Sequence, residues 1–153
     1  MKTIILSIFL TVSANAGNFG TVLSQLKKRA PNLPKYEQIM LAHTITKICN
    51  QHKINPRLFT AILIQESGLK LDAINKKSND YGISQINKHT IARYKFNKQK
   101  LLTDVHYSIS AGVLVLADFK KSYGKRDKFY WTRYNTSNPE KREVYKKLVM
   151  RHW

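Results

Sequence analysis

The stretch from Gln65 to Asn87 opens Gln65-Glu66-Ser67-Gly68 and closes Asn79-Asp80-Tyr81-Gly82-Ile83-Ser84-Gln85-Ile86-Asn87. Before it runs Arg57-Leu58-Phe59-Thr60-Ala61-Ile62-Leu63-Ile64, introduced by Asn55-Pro56. Asn as N-cap, Pro at the first helical position and Gly just past the last turn are start and stop signals of a helix. The spacing therefore predicts a helix with Glu66 in its last turn. The body of that helix is too apolar to lie on a surface, and Ile62 shares the face of Glu66 one turn earlier. A carboxyl set against such a wall, near the negative end of the helix dipole, is pushed towards its protonated form. That is the state a general acid needs at neutral pH. Glu is rarely buried, and one placed before a helix-ending Gly is more often solvated. Against that plain reading, the chain has only 9 Asp and Glu in 153 residues, so a Glu closing an apolar helix is not there by default.

Outward from this stretch, the rest of the chain reads as mainly helical. Lys35 to Lys53 carries a long helical pattern through Tyr36, Ile39, Met40, Ile45, Ile48 and Cys49, expected to pack antiparallel to the Glu66 helix across Ile54-Asn55. Asp104 caps a second strong helix with Val105, Ile109, Gly112, Val113, Leu116 and Phe119 on one stripe and Gly124 as its stop. Gly112 costs that helix about 1 kcal/mol against Ala, and its expected use is the close approach of another helix. Asn138-Pro139-Glu140 caps a last helix containing Tyr145. Asn18 to Lys28 reads as a short helix or a mobile arm, Lys88 to Tyr94 as one helical turn or two, and Lys70 to Asp80 as a polar connection. Tyr81 to Asn87 alternates too poorly for a strand. Phe129-Tyr130-Trp131-Thr132-Arg133-Tyr134-Asn135 is an aromatic stretch suited either to stacking on sugar rings or to core packing.

The chain opens with Lys2, the apolar run Ile4 to Val12 and the Ala14-Asn15-Ala16 site, which together read as a cleavable secretory signal peptide over residues 1–16. The apolar run is too short for an ordinary membrane span. Residues 17–153 then form a single domain, expected as a monomer with no stable membrane span. Cys49 is the sole cysteine, so no intrachain disulfide is possible, and a bacterial periplasm or cell envelope suits an exported chain of this kind. The histidines are scattered without metal-ligand spacing, and no metal or other cofactor is expected. With 27 Lys and Arg the formal net charge is +18, a balance that points to a polyanionic partner or merely to composition. Nucleic acid is one candidate, but an exported chain rarely meets it; peptidoglycan, with its peptide carboxylates, fits the expected compartment better.

Glu66-Ser67-Gly68 followed by Tyr81-Gly82-Ile83-Ser84-Gln85-Ile86-Asn87 resembles the first two motifs of the lytic transglycosylases, where Glu-Ser-Gly precedes Gly-Leu-Met-Gln-Ile or a near variant. The version here is most similar to the small specialised enzymes that accompany secretion, conjugation and pilus machines. Tyr134-Asn135 resembles the family's Ala-Tyr-Asn motif, and the likeness extends from about Pro34 to Val149. Asp80-Tyr81-Gly82-Ile83 also resembles the c-type lysozymes. The resemblance implies a lysozyme-like helical domain with a minimal β-hairpin or loop at the cleft. It further implies cleavage of the β-1,4 bond between N-acetylmuramic acid and N-acetylglucosamine, leaving 1,6-anhydro ends. In that mechanism Glu66 serves as acid and then base, Tyr145 and Tyr134 orient it, and Ser67, Asn75, Gln85 and Asn135 bind the glycan. The alternative is a lysozyme-type hydrolase with Asp80 as the second carboxylate. A more distant alternative is a basic envelope-binding or nucleic-acid-binding protein without catalysis. The departures are Ser84 where the family has Met or Phe, Thr136-Ser137 where Gly usually follows Tyr-Asn, and Asn75 in place of a common Ser; the first two bear on how the cleft grips the glycan.

Overall fold

The computed structural model describes residues 18–153, and the expected signal peptide lies outside them. In chain order the helices are α1 (residues 18–29), α2 (Lys35–Gln51), α3 (Pro56–Ser67), α4 (Lys88–Tyr94), α5 (Lys98–Thr103), α6 (Val105–Tyr123) and α7 (Pro139–Met150). A 3-10 turn spans Tyr130–Tyr134. Three two-residue strands, β1 (Ile74–Asn75), β2 (Asp80–Tyr81) and β3 (Ile86–Asn87), lie between α3 and α4. They form one antiparallel sheet in the order β1-β2-β3, with Asn75 opposite Asp80 and Asp80 opposite Asn87. The expected hairpin is thus present and gains a third strand from the end of the segment that the alternation left unassigned.

The capping signals work as the residue types require. Asn55 accepts from the amides of Arg57 and Leu58, and Gly68 ends α3 in the left-handed region at φ 60°. Asp104 accepts from Tyr107 N at 2.9 Å and Asn138 from Lys141 N at 3.0 Å. α6 is central: Ile109, Val113 and Leu116 face the main core with Val22, Ile45, Phe59, Ile62 and Val149. On its other side Ala111 and Val115 join Ile86 and Leu101 in a second, smaller cluster. Cys49 is fully buried in the main core, and burial pushes its thiol pKa up.

Three sequence expectations change. In α2 the core side is Leu41, Ala42, Ile45, Ile48 and Cys49, while Tyr36, Ile39 and Met40 are exposed. The helix carries apolar residues on two faces, and periodicity alone does not say which one the core takes. Gly112 does make room, but not for a helix backbone: a Cβ there would stand 2.7 Å from Ser84 Oγ and 2.9 Å from the Phe59 ring. Trp131 is 4 % exposed and belongs to the core rather than to a sugar platform, with Phe129 packed edge-on against it.

Candidate active site

Glu66 is half-buried in the last turn of α3 and opens onto two recesses of about 300 Å³ each. One is walled by the sheet through Asn75, Ser78, Asp80, Gln85 and Asn87, with Ile86, Thr90, Val115 and Tyr134 completing it. The other lies against α7, between Gln65, Lys141, Val144, Tyr145 and Leu148. Glu66 and Asn135 belong to both. The two recesses therefore adjoin, with the carboxyl between them.

The Tyr145 hydroxyl donates a hydrogen bond to Glu66 Oε1. Burial pushes the Glu66 pKa from its ordinary 4.5 up to about 7; the Tyr145 hydrogen bond pulls it back, and the nearby charge of Asp80 adds an upward push. Burial, the Glu66 charge and the hydrogen bond to it likewise raise the Tyr145 pKa well above its usual value. A phenol that stays neutral and a carboxylic acid that keeps its proton near pH 7 form a proton-holding pair beside an open groove.

Tyr145 is held in place from behind. Arg142, one turn earlier on α7, pairs with Asp127, donates from Nε to Thr132 Oγ1 at 2.7 Å and from Nη2 to the Phe129 carbonyl at 3.3 Å. Asp127 also accepts from Phe129 N at 2.9 Å and lies 3.6 Å from Arg133 Nε. This clasp fixes α7 against the 3-10 turn that carries Tyr134.

The sheet wall is assembled differently. Gly82 takes φ 78°, and a Cβ on it would stand 2.1 Å from the Leu101 carbonyl oxygen, so only Gly fits. Gln85 is also left-handed, at φ 46°. Its amide donates to the carbonyls of Gly82 at 2.9 Å and Ala73 at 3.1 Å, closing the turn. Asp80 accepts from Asn87 Nδ2 at 2.8 Å through one oxygen and from the Ser78 hydroxyl through the other. Asn75 Oδ1 receives the amides of Lys77 and Ser78 at 3.2 and 3.4 Å.

Of the residues expected to serve the site, Glu66, Asn75, Asp80, Gln85, Tyr134 and Asn135 line the sheet-side recess and Tyr145 the other. Ser67 is not among the lining residues. Its hydroxyl donates to the Ile83 carbonyl at 2.7 Å and receives Leu69 N at 3.1 Å, which pins the end of α3 to the loop instead of facing a ligand. Tyr134 does not hydrogen-bond Glu66: its hydroxyl donates to the Ser84 carbonyl at 2.8 Å. Ser84 itself is fully buried, with Oγ bonded to the Ser108 carbonyl at 2.8 Å, so this departure from the family pattern faces α6 and not the groove. Ser78, Ile86, Asn87, Thr90 and Val115 were not foreseen as lining residues. Asn87 stood in the quoted motif opposite Asp80, and Val115 lies one turn from Ala111; Thr90 carried no signal. Among the described residues no group of three or more His, Cys, Asp or Glu is placed to hold a metal ion.

A helical domain with a minimal sheet beside a carboxyl at a helix end defines the lysozyme-like class, and comparison with known proteins gives the family within it. The family model described as Transglycosylase SLT domain matches residues 43–148, and the chain belongs to that family. It is 32% identical over 110 residues to the invasion protein IagB of Salmonella typhi, a match covering 65% of this chain and 66% of that protein. The IagB proteins of two Salmonella typhimurium strains, SL1344 and LT2, match at 31% over the same length and share. The chain thus aligns with just under two thirds of the length of these curated relatives.

Proposed function

We propose that this protein is a peptidoglycan lytic transglycosylase with Glu66 as its acid and base. The observation that carries the reading is the Glu66 carboxyl itself: raised to about 7, held by Tyr145 and set between two adjoining recesses. A glycan strand lying along both recesses places one glycosidic bond at Glu66. The protonated carboxyl donates to the oxygen of the bond between N-acetylmuramic acid and N-acetylglucosamine as that bond breaks. The acetamido oxygen of the muramoyl sugar closes on the anomeric carbon, so no enzyme nucleophile is needed. Glu66, now a carboxylate, takes the proton of the C6 hydroxyl, whose oxygen displaces the acetamide and forms the 1,6-anhydro ring. Proton and electron pairs balance, and water is not consumed. Asn75, Gln85 and Asn135 line the groove where the acetamido and ring hydroxyl groups would lie. Gln85 offers mainly its carbonyl oxygen, since its amide hydrogens are engaged.

The hydrolytic alternative rests on Asp80, which shares the sheet-side recess with Glu66. Both Asp80 oxygens already accept hydrogen bonds, which suits a support more than a nucleophile. The deciding experiment is mass spectrometry of muropeptides released from sacculi by the wild-type protein. We expect anhydro ends, lighter by one water than reducing ends; reducing ends as the main product would replace this reading with hydrolysis. No helix among the described residues is long and apolar enough to cross a membrane. With the signal-like start and the kinship to invasion proteins, the reading extends to a periplasmic monomer that opens the wall locally for a secretion, conjugation or pilus apparatus.

A further inference from the structure

α3 has a second cavity at its other end. It encloses about 570 Å³, more than either recess at Glu66, and lies between α1, the first turn of α3 and the C-terminal turn. Its walls carry Lys28, Arg29 and Arg57, with the Trp153 ring under the Arg57 guanidinium at 5.5 Å. No Asp or Glu lines it. The ion pairs among the described residues involve Arg133, Arg142 and Lys146, so none of these three cations is neutralised by a carboxylate. The segment from the first residue through α1 contains no acid at all.

Arg57 sits in the first turn of α3, the positive end of the helix dipole, where a cation is unfavourable unless an anion joins it. The surroundings are positive beyond the cavity wall as well: burial, then Arg29 and Arg151, lower the pKa of His152. Beneath the cations lies Gln25, only 7 % exposed. Its Nε2 donates to the carbonyls of His152 at 2.7 Å and Arg57 at 3.2 Å, which fixes the amide's orientation. The opposite atom, Oε1, is therefore an acceptor, and it is buried without a donor. A buried acceptor left unpaired is costly and marks a place where a donor is missing.

An anion with no hydrogen to donate, such as sulfate, would satisfy the cations and leave Gln25 unpaired. Nucleic acid calls for a basic track along a surface, whereas these three cations gather around one recess. A short peptide supplies both needs, carboxylates and an N–H, and the cavity has the size of a small-ligand site. Building on the reading of the Glu66 groove, we propose that this cavity binds the stem peptide of peptidoglycan, with Lys28, Arg29 and Arg57 holding its carboxylates and Gln25 Oε1 accepting a peptide N–H. Arg57 and Glu66 are separated by nine residues of α3, about 13 Å at the helical rise. The site would thus hold a peptide side branch close to where the glycan is cut.

The test is a titration of the full chain, followed by Trp fluorescence and calorimetry, with free stem peptide released from sacculi by an amidase. The expected result is saturable binding that weakens at least tenfold in the double variant K28Q/R29Q, whose substituted side chains are exposed and whose fold is checked by circular dichroism. Methyl esterification of the peptide carboxylates should cause a comparable loss, and peptide-free glycan oligomers should not displace the peptide. Binding that survives K28Q/R29Q unchanged, or a glutamate-rich peptide of ordinary protein sequence that binds as tightly as the stem peptide, would overturn the proposal, the latter in favour of an acidic protein tail. The titration involves no cleavage, and glycan enters it only as a competitor expected to have no effect. A failure of the catalytic reading would appear instead as cleavage that persists without Glu66, and would leave this titration as it stands.

Discussion

The two walls of the groove each present a carboxylate, and they treat it in opposite ways. On the helical wall Glu66 is partly withdrawn from water, has one hydroxyl donor, and is shifted to about 7. On the sheet wall Asp80 has a donor for each oxygen, Ser78 on one side and Asn87 on the other, and serves to join β2 to β3. Two acids fourteen positions apart in the sequence thus end in different states, one with its pKa raised by burial and the other tied into the sheet by two donors. What separates them is hydration and the number of donors, not residue type.

Glu66→Gln should break the contrast outright. It keeps the shape but cannot carry a proton, and glycan cleavage is expected to fall by about 10²–10⁴ in a zymogram or turbidity assay. Cleavage near the wild-type rate by a folded variant would remove Glu66 from the chemistry. The same substitution should leave a stability signature. Because the folded pKa lies above the ordinary 4.5, ionising Glu66 costs the folded state nothing below that value, and the cost grows until it is complete above about 7. Glu66→Gln should therefore gain about 1–3 kcal/mol in denaturant titrations near pH 8 and nothing near pH 4.

Tyr145→Phe should sharpen the contrast rather than abolish it. Its hydroxyl pulls the Glu66 pKa down, so its loss should move the descending alkaline limb of the kcat/KM profile to higher pH. The rate at neutral pH should drop by about tenfold, in line with one hydrogen bond to a charged group. A fall in rate with the limb unmoved would reduce Tyr145 to packing.

Asp80→Asn is expected to have the smallest effect, a loss of about threefold or less in cleavage with anhydro ends retained, since the amide still accepts from one of its two donors. A near-complete loss would make the sheet wall a second catalytic wall and return the hydrolase reading.

The helical wall was the more legible of the two in the sequence. Asn55, Pro56 and Gly68 announced α3, Asn138 and Pro139 announced α7, and the family pattern brought Tyr145 to Glu66, because capping is local and a helix carries its residues at fixed spacing. The sheet wall was not. Its two-residue strands are too short for alternation to register, and its geometry rests on left-handed turns at Gly82 and Gln85 that decide side-chain direction. Those turns send Ser84 inward against Gly112 and the Ser108 carbonyl, a direction that the motif comparison, which tied this departure to the grip on the glycan, did not supply. Ser67 stands apart from the recesses for a related reason. A hydroxyl in the last turn of a helix serves whichever neighbour the next loop supplies, and here that is the Ile83 carbonyl. Asp127 and Arg142, the clasp behind Tyr145, are distant in sequence and carry no motif at all.

The hydrogen bond from Gln25 to the His152 carbonyl joins positions 127 apart in the chain. It closes a loop around nearly the whole domain, the kind of contact whose entropy must be met before it rewards the fold. In a chain that emerges from its first residue onward, that fastening waits for the C-terminal turn, and until then α1 lacks its tie to the end of the protein.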